Sequence, residues 1–287
     1  MKQRFFSFVL IFSLFAGILS AENVISDYTT QKVEEFVNTR IALKSEDFNF
    51  AIDTINKLWA DSLAGLSEQA KDLEQESCIL DSMYFMEIYD RTLAAGDKRP
   101  DLRKKMKEQM KRNKRCVSAR TEDEKPVSDW MYLFTGDVTS YYMTRSVAAT
   151  LLHGLDVKGC YENAISVNPE RASAHVSLGN WRFYAPGLFG GGKKRAQNQL
   201  DKAVASAKIP GEQYMSYLSY SQVNYERGNT DVAKEYLDKA KALGLGQKEL
   251  DLIERCNEKG YSYFQYLRNR SGIDKEMAED EKDEDDK

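Results

Sequence analysis

Residues 187–194, with the sequence GLFGGGKK, come closer to a chemical motif than any other stretch of the chain. They match the phosphate-binding loop G-x-x-x-x-G-K-[ST] except at the last position, where Lys194 replaces the Ser or Thr. That loop follows an apolar strand, and its hydroxyl is needed for a magnesium ion. Here a polar segment ending in Pro186 comes first. We therefore predict a turn between two helices instead of a nucleotide site.

The two histidines, His153 and His175, offer little for catalysis. Neither lies in the zinc motif H-E-x-x-H, and the serine hydrolase motif G-x-S-x-G does not occur in the sequence. A histidine on a helix is more often a core or core-edge residue than a base. We expect a protein that is not an enzyme and has no cofactor. A hydrolase with an unrecognised helical site is the weakest alternative.

The four cysteines are far apart in the sequence, and none stands in a C-x-x-C pair or at the spacing of a zinc site. We therefore expect no metal. Disulfides between them would be allowed in an exported chain, and buried single thiols are an equal alternative. The sequence leaves the connectivity open for Cys78, Cys116, Cys160 and Cys256.

The N-terminus is typical of a cleavable export signal. Lys2 and Arg4 precede an apolar run over residues 5–19, and small residues follow, so we predict a signal peptide over 1–21. The run is shorter than the ~20 residues that span a membrane. The first cysteine is Cys78, so no cysteine stands at the cleavage site to carry a lipid. We expect a periplasmic or otherwise exported protein with no membrane span after cleavage.

Two segments carry most of the unbalanced charge. Residues 274–287 hold nine acidic and three basic side chains, and we predict that the acidic tail is disordered over 273–287. Residues 98–115 hold ten Lys or Arg against two acidic residues, with an apolar residue at every fourth position from Leu102. This pattern predicts a helix with a cationic face that either only solubilises it or contacts a membrane surface or an acidic partner. Because the chain is predicted to be exported, we expect no nucleic-acid partner.

Helical periodicity dominates the rest of the sequence. Only five prolines occur, and alternating strands with hairpin turns are not found. The sequence predicts an all-α protein over 22–272, with a candidate internal boundary at the polar stretch 118–127.

A repeat organises the second half of the chain. The pattern A-x-x-x-L-x-x-A occurs at residues 196–203 and again 37 residues later at 233–240, with the letters LDKA in both copies. A third, partial copy ends before Pro169. Over 157–245 the sequence resembles the tetratricopeptide repeat (TPR), a helix–turn–helix unit of about 34 residues with small residues where helices touch. The resemblance implies TPR-like helix pairs stacked as a short solenoid or bundle, with irregular capping helices.

The same resemblance implies a concave groove lined by the first helix of each pair. Amide and aromatic side chains there would bind an extended peptide or a small polar or hydrophobic ligand. The repeat register assigns the groove to Asn180, Phe183, Met215, Leu218, Gln222 and Tyr225.

Among exported repeat proteins, the chain is loosely similar to the T component associated with bacterial TRAP transporters. The similarity lies in its degenerate repeats and in the glycine-lengthened turn at 187–192. Members of that family commonly carry a lipid on a cysteine at the cleavage site, which this chain lacks. The resemblance implies an accessory to small-molecule uptake that binds a periplasmic solute-binding protein and can form a homo-oligomer. The alternative is a general scaffold for envelope protein complexes.

Overall fold

The computed structural model describes residues 24–94, 100–143 and 146–285, and in these ranges the protein is all-α, as predicted. The predicted signal peptide lies outside the described residues. Two 3-10 turns, Leu43–Ser45 and Gly187–Phe189, interrupt the helices. The helices are α1 (Asp27–Ala42), α2 (Phe48–Gln69), α3 (Leu73–Ala94), α4 (Pro100–Glu122), α5 (Asp129–Met143), α6 (Val147–Val167), α7 (Ala172–Tyr184), α8 (Lys193–Ser206), α9 (Pro210–Glu226), α10 (Thr230–Lys241), α11 (Gln247–Glu258), α12 (Tyr263–Arg268) and α13 (Arg270–Asp285).

Five inner helices form a closed ring. α1, α3, α5, α7 and α9 contact one another in that order, and α9 contacts α1 again. The ring closes where the backbone N–H of Gly211 donates to Asn38 Oδ1 at 2.7 Å. The outer helices α2, α4, α6 and α8 each pack against the inner helix before and after them, and α10 packs against α9. The helix pairs therefore stack as TPR-like repeats do.

The repeat residues lie where helices touch. Ala196, Leu200 and Ala203 of α8 are buried, and so are their counterparts in α10. A Cβ added to Gly179 of α7 would lie 2.9 Å from the Leu200 side chain. The small residues therefore allow α7 and α8 to approach closely, as the repeat pattern predicts.

The glycine stretch connects α7 to α8. Gly190 has a φ of 97°, in the left-handed region that favours glycine. A Cβ on Gly191 would lie only 1.7 Å from the carbonyl oxygen of Ala185, so this position also requires glycine. Lys193 is not directed at a phosphate site, because its Nζ binds Glu226 Oε2 at 2.9 Å. The stretch is a helix–helix turn.

The main core extends across the polar stretch at 118–127. Cys116 at one side of it and Trp130 at the other belong to the same hydrophobic cluster, which includes side chains of α1 to α7. The stretch forms the end of α4 and the connection to α5, and these two helices pack against each other. None of the helices in the described ranges is long and apolar enough to cross a membrane.

The described part of the acidic tail is helical. α13 continues to Asp285, and its residues Ile273 and Met277 are buried against Cys256 and Tyr266. Tyr266 also donates a hydrogen bond to Asp274 Oδ1 at 2.9 Å. The two apolar residues are four positions apart, so they share one helix face and can bury it despite the surrounding charge.

Candidate functional site

The predicted groove residue Gln222 is fully buried. Its Oε1 accepts a hydrogen bond from the backbone N–H of Tyr263 at 2.7 Å, and its Nε2 donates to Ser221 Oγ. Tyr225 is committed in the same way, since its hydroxyl donates to the backbone oxygen of Asn257 at 2.7 Å. These two side chains hold the C-terminal helices. Gln222 is closed to a ligand, whereas Tyr225 stays partly exposed.

The apolar members of the predicted groove are also covered by the chain itself. The ring of Phe183 lies 4.4 Å from that of Phe264, centroid to centroid, and Phe264 is buried. Leu218 is buried in a cluster with α10 and α11, and Met215 packs against three clusters. The repeat register could not show this, because α11 and α12 follow the repeats and have no counterpart in them.

Asn180 is the one predicted groove residue with free hydrogen-bonding capacity. Its Nδ2 donates to Ser219 Oγ at 3.3 Å, while its Oδ1 is buried without a partner among the described residues. One turn earlier on α7, Ser177 donates to Asp137 of the inner helix α5. Asn180 therefore lies on the side of α7 that contacts the neighbouring inner helices α5 and α9.

A group of charged residues lies on the inner helices beside it. The group, called here the inner charged cluster, comes from the C-terminal halves of α1, α3 and α5. Arg40 lies 3.1 Å from Glu87, and the charges of the other members act on the pKa of Arg40. The sequence does not predict these residues as a site. The pattern of α3 is typical of an apolar core helix, and the region 64–156 departs from the repeat. The members are Arg40, Glu87, Asp90, Asp137 and Tyr141.

Arg40 of the cluster and the adjacent Arg91 both neutralise Glu87. Arg40 Nε lies 3.1 Å from one carboxylate oxygen and an Arg91 nitrogen 2.7 Å from the other. Arg91 also donates to the backbone oxygens of Leu43 and Arg40, which fixes the end of α1. Burial lowers the pKa of Arg40, and Glu87 and its neighbours raise it by more, so the guanidinium stays charged. Within the described residues, the arginines therefore form no close ion pair with Asp90 or Asp137, although the charge of Arg40 acts on both.

Asp137 is the better satisfied of these two carboxylates. Tyr161 donates to its Oδ1 at 2.8 Å and Ser177 at 3.2 Å. Burial raises the pKa of Asp137 to about 6, although both hydrogen bonds act to lower it. Its neighbour Tyr141 has a raised pKa because of the charge on Asp90 and because of burial.

Asp90 has neither a hydrogen bond nor an ion pair in the described part of the chain. Burial raises its pKa and the adjacent Glu87 raises it further, while Arg40 and Lys44 act to lower it. A half-buried carboxylate with no partner is unfavourable, and it becomes favourable when a cation binds. Asp90 is thus the residue of the cluster most ready to accept a ligand.

The cluster is rich in hydrogen-bond acceptors. Its three carboxylates, Glu87, Asp90 and Asp137, stand near Arg40, Arg91 and Lys44, and Lys44 is paired with Glu249. The C-terminal ends of α1, α3 and α5 add partial negative charge. Within the described residues no group of His, Cys, Asp and Glu is arranged to hold a metal ion.

The histidines do not contribute a base to the cluster. His175 is buried, with its ring nitrogens 2.9 Å from Gln199 Oε1 and from the backbone oxygen of Pro169. His153 lies on α6 beside Lys114 and Asp156. Both are held by structural contacts.

A second polar group attaches α11 and α12 to the ring. Glu249 accepts hydrogen bonds from Lys44 Nζ at 2.6 Å, from the Tyr214 hydroxyl at 2.6 Å and from the Tyr263 hydroxyl at 2.7 Å. Burial alone would raise the pKa of Glu249, but Lys44 and the two tyrosines lower it below its ordinary value. The C-terminal helices are therefore part of the closed structure beside the cluster.

Comparisons with known proteins give a fold neighbour only. No family model matches the sequence, and no match among curated proteins was found. Among solved structures, a thermophilic TPR protein of Thermus thermophilus is 16% identical, with 74% of this chain and 89% of that chain covered and a TM-score of 0.44. The TPR-like character of this chain rests on its own stacked helix pairs.

Proposed function

We propose that this protein is a TPR-like interaction module that holds its partner at the inner charged cluster. Asp90 carries the proposal, because its carboxylate lies half-buried on the inside of the ring without a partner in the described residues. The unpartnered Oδ1 of Asn180 adds a second acceptor on α7, which α5 separates from α3 in the ring. Both atoms would be satisfied by a lysine or arginine side chain, or by another organic ammonium group.

We further propose that the module is exported and acts as an accessory to TRAP-type small-molecule uptake, with a periplasmic solute-binding protein as its partner. The export-signal pattern at 1–21 and the degenerate TPR-like repeats support this role. A binding role also suits the cluster, because the described residues around its carboxylates include no nucleophile that is hydrogen-bonded to a base. A general envelope scaffold would use the same surface with other partners.

Capture from an envelope extract tests both levels of the proposal. Asp90→Asn removes the charge and keeps the shape, and we expect it to weaken capture of the partner at least tenfold. The matched control is Asp231→Asn, which removes one negative charge from the exposed start of α10. A solute-binding protein among the captured proteins supports the uptake role, and unrelated envelope proteins support the scaffold.

The capture of the partner by the two variants can be compared only if both are folded. We expect the melting temperature of Asp90→Asn to equal or exceed that of the wild type, because removal of an unpaired half-buried charge relieves its desolvation. If Asp90→Asn captures the same partner as tightly as Asp231→Asn does, the inner charged cluster is not the binding site.

A further inference from the structure

The outer helix α6 has an exposed apolar stripe. Val147, Leu151, Leu152 and Leu155 are 59–79% exposed, and they lie on the side of α6 opposite its buried face. Monomeric soluble proteins rarely expose four large apolar side chains together. This stripe is outside the ring and separate from the inner charged cluster.

The glycine-rich turn adds two more exposed apolar residues beside the same helix. Leu188 is 90% exposed, and Phe189 next to it is exposed as well. A Cβ on Gly190 would lie 3.8 Å from Lys158 Cε, which places this turn alongside α6. Lys158 follows Leu151 by seven residues, so the two lie on the same side of the helix, two turns apart. The turn therefore extends the apolar stripe along α6.

A row of cations borders the stripe on the side of α4. Arg103 lies over the ring of Tyr142 at 5.3 Å, and Lys114 Nζ lies 2.7 Å from Asp156 of α6, so this edge of α4 faces α5 and α6. Lys107 and Lys111 follow Arg103 at four-residue intervals and share its side of the helix. Both are exposed, and neither has an ion pair within the described residues.

We propose that this surface, formed by the apolar stripe of α6, the turn at 188–189 and the basic edge of α4, docks on an anionic lipid bilayer. The leucines are exposed along one side of α6, as insertion between lipid headgroups requires. The unpaired lysines would lie at the level of the headgroups, where each cation is attracted to anionic lipid. A two-fold contact with a second copy through the same surface would bring these lysines toward one another.

Vesicle flotation tests the proposal. The protein is used in the form recovered from expressing cells, and its N-terminal residue is identified by mass spectrometry. The vesicles hold one part phosphatidylglycerol to two parts phosphatidylcholine, or phosphatidylcholine alone. We expect wild-type protein to float with the anionic vesicles and to be released by 0.5 M salt, about the concentration at which surface charges are screened. Leu151→Gln with Leu155→Gln, and separately Lys107→Glu with Lys111→Glu, should each lower the partition coefficient at least tenfold.

Matched variants elsewhere on the surface serve as controls. Leu73→Gln with Leu267→Gln changes two other exposed leucines, and Lys202→Glu with Lys234→Glu makes the same change in net charge on α8 and α10. Both pairs should bind vesicles as the wild type does. Because all variants share one N-terminus, any binding through residues 5–19 is common to them and cancels in the comparison.

Several results would overturn the proposal. One is equal flotation of the α6 and α4 variants and their controls. Another is a wild-type dimer, measured by analytical ultracentrifugation, that only the α6 variant dissolves, which would assign the stripe to a second copy. Salt-independent binding to neutral vesicles would remove the role of the basic edge.

Discussion

Asp137 makes the stability of the protein depend on pH. Burial raises the pKa of its carboxyl from 3.8 to about 6, so the folded chain holds this proton more tightly than the unfolded chain. Stability from this group is therefore present below pH ~4 and is lost as pH rises to ~6. Two pKa units correspond to ~3 kcal/mol, and solvent at this half-buried site reduces the effect to ~1 kcal/mol.

We expect Asp137→Asn to remove this pH dependence. The amide oxygen can still accept from Tyr161 and Ser177, but the side chain cannot ionise. The free energy of unfolding at pH 7 should rise by ~1 kcal/mol relative to the wild type and should match it near pH 4. Urea titrations at the two pH values measure the difference. Parallel pH profiles for the two proteins would show that the folded-state pKa of Asp137 is not raised.

Gln222 supplies a different kind of test, because it is buried where the sequence predicted a binding surface. Gln222→Ala leaves the backbone N–H of Tyr263 without its acceptor. A buried unsatisfied donor costs ~1–3 kcal/mol, so we expect a loss of that size in the free energy of unfolding. Gln213→Ala, at a half-buried position on the same helix, should cost less than ~0.5 kcal/mol. Loss of partner capture without loss of stability would restore Gln222 to the binding surface.

Residues with a local role were predictable from the sequence, and residues with a long-range role were not. Gly179 and the repeated alanines follow a pattern that short-range helix packing imposes, and the structure places them at close contacts. The role of Gln222 depends on Tyr263, 41 residues away, and no periodic pattern reports such a pairing. Asp90 was missed for the same reason, since its surroundings come from separate helices.

At the scale of the element, the turn between α7 and α8 contains glycines of unequal importance. Gly191 has ordinary φ, yet its Cβ would overlap the carbonyl oxygen of Ala185 at 1.7 Å. We expect Gly191→Ala to move the end of α7 and to cost ~1–3 kcal/mol. Gly187→Ala has open space around its Cβ and should be nearly neutral. Thermal unfolding compares the two, and equal melting temperatures would show that the turn is looser than described.

The last helix gives a prediction about truncation. A chain ending at Gly272 loses Ile273 and Met277, two buried side chains of α13, while a chain ending at Ala278 keeps both. Burial of such a side chain contributes ~1.5–3 kcal/mol. We therefore expect the shorter chain to melt several degrees lower and the longer one to melt like the wild type. Equal melting of the two truncated chains would support the disordered tail that charge composition predicted.

At the scale of the whole molecule, the sequence predicted the stacking of the helices and not the closure of the ring. Stacking repeats the same local contact from pair to pair, so a periodic pattern encodes it. Closure depends on α1 meeting α9, which is remote in the sequence. Gly211 fits against Val37 and Asn38, and Ile41 packs with Tyr214 and Leu218. Phe264 covers α9 in the same way, because it belongs to α12, a helix that follows the repeats.

Closure should make the molecule unfold as one unit, and Gly211→Ala tests this. The added Cβ would lie 2.8 Å from Val37 O and from Val37 Cγ1, so α9 must move away from α1. We expect hydrogen exchange to become faster in both helices and the melting temperature to fall, with a single transition retained. Arg40 lies near the end of α1, so partner capture at the inner charged cluster should weaken as well.

The control for closure is Gly159→Ala on the outer helix α6. Its Cβ meets nothing within 4 Å, and alanine favours a helix over glycine by ~0.5–1 kcal/mol, so this variant should be slightly more stable than the wild type. In an open solenoid, a change at Gly211 would reach only the neighbouring repeat. Faster exchange confined to α9 and α10, with α1 unaffected, would therefore show that the helix pairs stack in a row and that α1 does not close the ring.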